Sequence, residues 1–282
     1  CCQKLKPSYH QKNTKECTML QATDLRLTFN LGTPIENPAL RGLSLSIADG
    51  EFVTVIGTNG AGKSTFLNAI SGAVRVDSGS IKINGQDVTR LKTHQRAKQV
   101  ARVFQDPMAG TCEALTIEEN MALAYKRGGM RGLASALNHK NRELFREKLS
   151  ILKLGLENRL TDRMGLLSGG QRQAVSLLMA SLQPSKILLL DEHTAALDPK
   201  TAAFVLDLTD KIVSEGRLTT MMVTHSMQQA LTHGTRTVML HQGQVMLDVS
   251  GDKRQGMNVQ DLLNMFEKTR GEKVEDDRLI LG

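Results

Sequence analysis

The stretch Gly57-Thr58-Asn59-Gly60-Ala61-Gly62-Lys63-Ser64-Thr65 decides the reading of this chain. A β-type run, Phe52 to Ile56, precedes it, and an apolar helical run, Phe66-Leu67-Asn68-Ala69-Ile70, follows. Strand, glycine-rich turn and helix in that order are what a phosphate-binding loop requires. The glycines let consecutive backbone N–H groups curl round an anion, and the positive end of the helix dipole faces the same point. In that geometry Lys63 reaches the β- and γ-phosphates and the Ser64 hydroxyl ligates Mg²⁺. A turn that matches the spacing by chance is the bland alternative, and the flanking strand and helix argue against it. The loop is expected to bind a nucleoside triphosphate.

The 282 residues suffice for one large α/β domain or two small ones. No apolar run reaches the roughly 20 residues of a membrane span, so the chain is expected to be soluble or peripheral. The formal charge of +7 is unevenly spread. Residues 1–18 carry four Lys against one Glu, and residues 126–163 carry ten Lys/Arg against four Asp/Glu. With only 3% aromatic residues and no Trp, stacking platforms for nucleic acid are not expected. A solvated helix face, or one near anionic lipid heads, is the better reading of the second basic block. Three of four cysteines, Cys1, Cys2 and Cys17, lie in the first 18 residues, which is no disulfide framework and suits a reducing cytosol. Residues 1–18 lack periodicity and are read as a disordered leader or an expression artefact, with Met19 as the natural start.

Leu20 to Phe29 and Leu43 to Ile47 alternate like strands of an antiparallel sheet, joined by a turn-rich loop at Gly32 to Pro38. Phe29 is either an adenine-stacking ring or an ordinary sheet residue. Asp77 to Ser80 turns into a strand, Ile81 to Gly85. Val100 to Phe104 reads as a buried strand ending at Gln105, a residue able to reach a metal or a water. From Thr116, where Thr116-Ile117-Glu118-Glu119 resembles a capping box, the chain turns helical, with apolar spacing from Ala134 to Lys153 and a turn at Gly128-Gly129. This block is expected to form a helical lobe.

Leu167-Ser168-Gly169-Gly170-Gln171 opens the apolar helix Ala174 to Leu182 and is a second anion-friendly helix start. Ile187-Leu188-Leu189-Leu190-Asp191-Glu192 is an apolar strand that delivers two carboxylates to the C-terminal edge of a buried sheet, where α/β proteins bind ligands. Asp191 is read as holding Mg²⁺ through water, and Glu192 as polarising the attacking water. Asp198 begins the helix Pro199 to Val213, with an N-cap as its default role. Leu218 to Thr224 is a further strand, and His225 at its end is read as a γ-phosphate contact. Strands Thr235 to Leu240 and Gln244 to Val249, a helix Val259 to Glu267 and a polar tail complete the chain.

Taken in order, the loop, Gln105, Leu167 to Gln171, Asp191-Glu192, Asp198 and His225 resemble the nucleotide-binding subunit of an ATP-binding-cassette (ABC) ATPase of bacterial importer type. The resemblance covers about residues 20 to 250. It implies an α/β P-loop NTPase fold with a mostly parallel core sheet, an N-terminal antiparallel β-subdomain and a helical subdomain at about 106–180. The cassette would span 19–250, with a short helix and tail at 251–282. It implies ATP and Mg²⁺ as cofactors, Ser64, Gln105 and Asp191 as the metal-site residues, and Glu192, His225 and Gln105 as catalytic. Two copies would sandwich ATP head to tail, between Gly57 to Thr65 of one and Ser168 to Gln171 of the other. Phe29 becomes the adenine-stacking residue, Gln105 the coupling residue, Asp198 a cross-dimer contact and His225 the γ-phosphate switch. The implied partners are a second copy, integral permease subunits and a substrate-binding protein, at the cytoplasmic face of the cell membrane, with no nucleic acid. The stretch after His225 is short, so the β-barrel regulatory domain of sugar-type importers is not expected. The wording around Phe104 to Pro107 and Asp191 to Pro199 is similar to importers with branched-chain-amino-acid-type permeases, so amino acids are the expected substrate class. A soluble cassette ATPase of iron–sulfur cluster assembly is the alternative. Two departures stand out: His193 where Pro is usual, expected at an exposed linker position, and Ala195 where Ser is usual.

Overall fold

The computed structural model describes residues 18–129 and 137–270. Of the leader expected at residues 1–18, all but Thr18, which opens the first strand, lies outside the described residues, as does the Ala134 start expected for a helix. Two long strands, β1 (Thr18–Phe29) and β2 (Asn37–Ala48), pair antiparallel and bury alternate residues such as Leu25, Leu27, Leu43 and Leu45. Strand β3 (Phe52–Gly57) follows and is buried throughout, then α1 (Lys63–Ser71). The chain continues through β4 (Ser78–Ile83), β5 (Gln86–Asp87), α2 (Thr93–Arg96) and β6 (Val100–Val103).

Helices α3 (Ile117–Tyr125), α4 (His139–Ser150) and α5 (Gly169–Ser181) come next. Local chemistry sets their starts. Thr116 Oγ1 accepts from the Glu119 N–H at 3.2 Å, while Glu119 Oε2 accepts from the Thr116 N–H at 2.7 Å, the reciprocal capping box read from sequence. Asn138 caps α4 and Ser168 caps α5 through the N–H groups three residues on. The chain closes with β7 (Ile187–Asp191), α6 (Pro199–Gly216), β8 (Thr220–Val223), α7 (Met227–Thr232), β9 (Arg236–His241), β10 (Gln244–Ser250) and α8 (Val259–Arg270).

The central sheet runs β10-β9-β3-β8-β7-β6, parallel except for the β9–β10 hairpin, and the antiparallel sheet runs β2-β1-β4-β5. Helix α1 lies between the sheets. Its Phe66, Leu67 and Ile70 share one apolar cluster with Leu20 and Leu43 of the outer sheet and with Val53, Val55 and Leu189 of the central one. The alternate central residues, among them Val103, Leu188 and Leu190, face the other way and pack with α3 to α6. This two-sided burial explains the continuous apolar runs of β7 and β8. Arg96 is fully buried and donates to the carbonyls of Ala69, Ile70, Leu91 and Thr89, which ties the C-terminal end of α1 to the following turns. No helix among the described residues is long and apolar enough to cross a membrane.

Candidate functional site

Adjacent parallel strands β3, β8 and β7 end at one sheet edge, and each delivers a polar group there. The Thr224 N–H donates to Val55 O and the Glu192 N–H to Val223 O, so the three exits are stitched together. After β3 comes the loop Thr58 to Gly62, whose Ala61 N–H donates to Thr58 O at 3.0 Å. Gly62 adopts φ 96°, and a Cβ there would lie 2.6 Å from Ala39 O, so backbone and geometry both require glycine. The first N–H groups of α1 have no partner inside the helix and face the space beyond the loop. A cleft of about 310 Å³ opens there, lined by Phe29, Asn37, Ala39, Asn59 to Thr65, Glu192 and His225.

Lys63 is buried in this cleft, and its Nζ donates to Gly57 O at 2.7 Å and Thr58 O at 3.3 Å. Burial pushes the ammonium below its ordinary pKa, while Glu192 and then Asp191 pull it back up. Glu192 is buried, adopts φ 45°, and its Oε1 accepts from His225 Nε2 at 2.7 Å. A left-handed backbone at a non-glycine residue costs on the order of 1–2 kcal/mol. Here it aims a carboxylate across the sheet edge at His225 and the loop. Phe29 lies at the rim, 38% exposed. It is also the last residue of β1, paired with Asn37 across the sheet.

Asp191 at the end of β7 is buried too, and its Oδ2 accepts from Arg102 Nη2 at 2.6 Å. Sequence reading missed Arg102, although a charged residue inside the apolar run Val100-Ala101-Arg102-Val103 was a visible signal. Two hard oxygen donors are at hand, the Ser64 hydroxyl in the cleft wall and the Asp191 carboxylate next in sequence to Glu192. The described residues contain no cluster of three His, Cys, Asp or Glu able to hold an ion alone. Hard oxygen donors such as Ser64 and Asp191 suit Mg²⁺, which keeps waters and phosphate oxygens in its shell.

Other expected site residues lie apart from the cleft. Gln105 is exposed, two residues beyond β6. Ser168 and Gly169 are exposed at the start of α5, and Asp198 is exposed at the start of α6, where its Oδ1 accepts from the Thr201 N–H at 3.1 Å. The two helix starts touch, since a Cβ on Gly170 would overlap Thr201 Cγ2. This second anion-friendly face is therefore displayed outward. Helix α5 is also tied to the segment after β6: Gln173 Nε2 donates to Phe104 O, and Arg172 Nη1 to Glu113 Oε1.

His193 corrects the sequence reading. It is no exposed linker residue but is 2% exposed, with its ring against α6. Thr209 gives its only hydroxyl proton to Val205 O at 2.8 Å, so His193 Nε2 donates to Thr209 Oγ1 at 3.0 Å. Burial, with His233 nearby, lowers the imidazole to about 4. The ring is neutral at pH 7 and anchors the turn after Glu192. The basic block is also less bare than its charge suggests, because Arg142, Arg146 and Arg159 pair with Glu118, Glu143 and Asp162.

A larger groove of about 740 Å³ runs between the helices and the sheet edge, with Arg102, Phe104, Cys112, Leu123 and Met179 in its walls.

A protein-family model described as ABC transporter matches residues 40–195. A tyrosine transport ATP-binding protein of Clostridioides difficile (strain R20291) is 46% identical over 249 residues, covering 88% of this chain and 99% of that one. A phosphonates import ATP-binding protein of Synechococcus sp. (strain JA-2-3B'a(2-13)) is 36% identical, covering 76% and 80%. Among solved structures, a dimeric ATP-binding cassette in a post-hydrolysis state, bound to ADP and Pi, superposes with TM-score 0.71 at 30% identity, over 82% of this chain and 98% of that one.

Proposed function

The chain belongs to the ABC transporter family, and from that membership we propose how its residues divide the work. It is an ATP-binding, ATP-hydrolysing subunit of the importer type that dimerises and serves membrane permease subunits. The cleft takes the triphosphate. Phe29 stacks on the adenine, the N–H groups of Gly60 to Thr65 hold the β-phosphate, and Lys63 turns from its own loop carbonyls to the β- and γ-oxygens. Mg²⁺, held by Ser64, by Asp191 through water and by Gln105 once it swings in from outside the cleft, would neutralise charge on the phosphates.

Glu192 accepts a proton from the attacking water as the new P–O bond forms at the γ-phosphorus and the bond to ADP breaks. His225 holds the Glu192 carboxylate at 2.7 Å and faces the γ-phosphate. The observation that carries this reading is the convergence of Lys63, Glu192 and His225 on one cleft at one sheet edge.

Ser168, Gly169 and Asp198 are exposed at two abutting helix starts, and Ser168 to Gln171 with Asp198 serve the ATP of a second copy in a head-to-tail sandwich. The permease sits in the 740 Å³ groove on the cytoplasmic side of the membrane, where Gln105 and the segment after it lie close by. The substrate is a small molecule of the amino-acid class, delivered by a binding protein. The names of the relatives favour transport over the assembly-factor alternative.

The test is Glu192→Gln. General-base help is worth about 10²–10⁴-fold in rate, so hydrolysis should fall by that factor while Mg²⁺-ATP binding persists. An ATP-dependent dimer should then accumulate on size exclusion and disappear when Ser168 is also replaced by a bulky residue. A monomer at saturating Mg²⁺-ATP, or normal hydrolysis, would refute the assignment.

A further inference from the structure

An ionised carboxylate as buried as Asp191, at 8% exposure, needs a counter-charge. Lys63, which feels the Asp191 charge, donates instead to Gly57 O and Thr58 O. The group bonded to Asp191 is the Arg102 guanidinium, at 2.6 Å with both side chains largely buried. Arg102 is itself held in place. Its Nη1 donates to Asn68 Oδ1 of α1 at 2.6 Å, and its carbon lies 4.6 Å from the Phe104 ring centre. It engages one oxygen of Asp191, Oδ2, and Asp191 directly precedes the cleft residue Glu192.

We propose that Arg102 is a positioning residue that supplies the counter-charge of Asp191 and so sets how much Mg²⁺ the nucleotide needs. The inference rests on the reading of Asp191 as a metal-site residue. A fixed cation touching one oxygen weakens the pull of the same carboxylate on a divalent ion at the other. Its removal leaves Asp191 buried without a partner until metal arrives, which favours the metal-loaded state. The sign is diagnostic. A guanidinium that merely glued β6 to α1 would, when removed, loosen the site and raise the metal requirement or leave it unchanged.

The experiment uses the full chain, a fluorescent ADP analogue and a Mg²⁺ titration, with thermal melts in EDTA and in saturating Mg²⁺-ADP. Arg102→Met should lower the Mg²⁺ half-saturation concentration by about threefold or more, since a unit charge acts at short range in a poorly solvated site. The same variant should lose more thermal stability in EDTA than with Mg²⁺-ADP. Arg102→Lys, which keeps the charge, should stay near the parent. If Arg102→Met does not fold, Arg102→Gln keeps a donor toward Asp191 and carries the same expected direction. An unchanged or raised metal requirement in a folded neutral variant overturns the proposal, provided that Asp191→Asn weakens Mg²⁺ binding. If Asp191→Asn leaves the metal requirement unchanged, the metal-site reading of Asp191 falls first, and the proposal with it.

Discussion

Replacing Gly170 by Ala would place a methyl group onto Thr201 Cγ2 of the adjoining helix. Two effects oppose each other. Gly170 is the second residue of α5, with no positive φ, so Ala gains about 0.5–1 kcal/mol of helix propensity. Overpacking where the two helix starts abut costs about 1–3 kcal/mol, so collision wins and the variant should lose up to about 2 kcal/mol. For a domain of this size that is a fall in Tm of several degrees. Thr201→Ser deletes the obstructing methyl and keeps the hydroxyl. The next atoms, Thr201 Cβ at 3.4 Å and Oγ1 at 3.6 Å, are ordinary neighbours for a new Cβ. Combined with Thr201→Ser, Gly170→Ala should therefore become neutral or mildly stabilising. Urea or thermal unfolding of the four proteins closes the cycle, with a coupling of about 1–3 kcal/mol expected. Gly170→Ala as stable as its parent while Thr201 is retained would refute the argument.

Lys63→Ala removes a charge-assisted bond of about 2–3 kcal/mol, so ATP affinity should fall at least about 30-fold without loss of fold. Equilibrium binding with a fluorescent nucleotide reads this, and unchanged affinity would remove the loop from the site. Between pH 6.5 and about 4 an unfolded His193 takes up a proton that the folded one excludes. Stability should therefore drop as pH falls through that window and level off below it, and the slope should flatten in His193→Gln. Melting curves across pH decide, and parallel profiles would show that His193 is not the excluded group. Arg96→Met strands four backbone carbonyls and should cost about 3 kcal/mol or more, seen as a large fall in unfolding midpoint.

The legible parts of this chain are those that short-range physics encodes. The phosphate loop, the capping boxes at Thr116 and Ser168 and the Asp198 cap are bonds between residues three or four apart. The runs Phe52 to Gly57 and Ile187 to Leu190 betray burial on both faces through composition alone. His193 escaped because what decides its setting is a helix sixteen residues away, which no local pattern announces. Arg102 escaped for the same reason, since its partners Asn68 and Asp191 are 34 and 89 residues distant. The two-residue β5 and the single turn of α2 are too short for any periodicity to show.

The contacts of Lys63 bear on the working cycle. Gly57 and Thr58 both accept from its ammonium, so the loop is closed on itself by its own lysine. On the proposed role of the loop, a phosphate must compete with those two carbonyls for one side chain. The affinity of the site is then a difference between two sets of acceptors, not the sum of one.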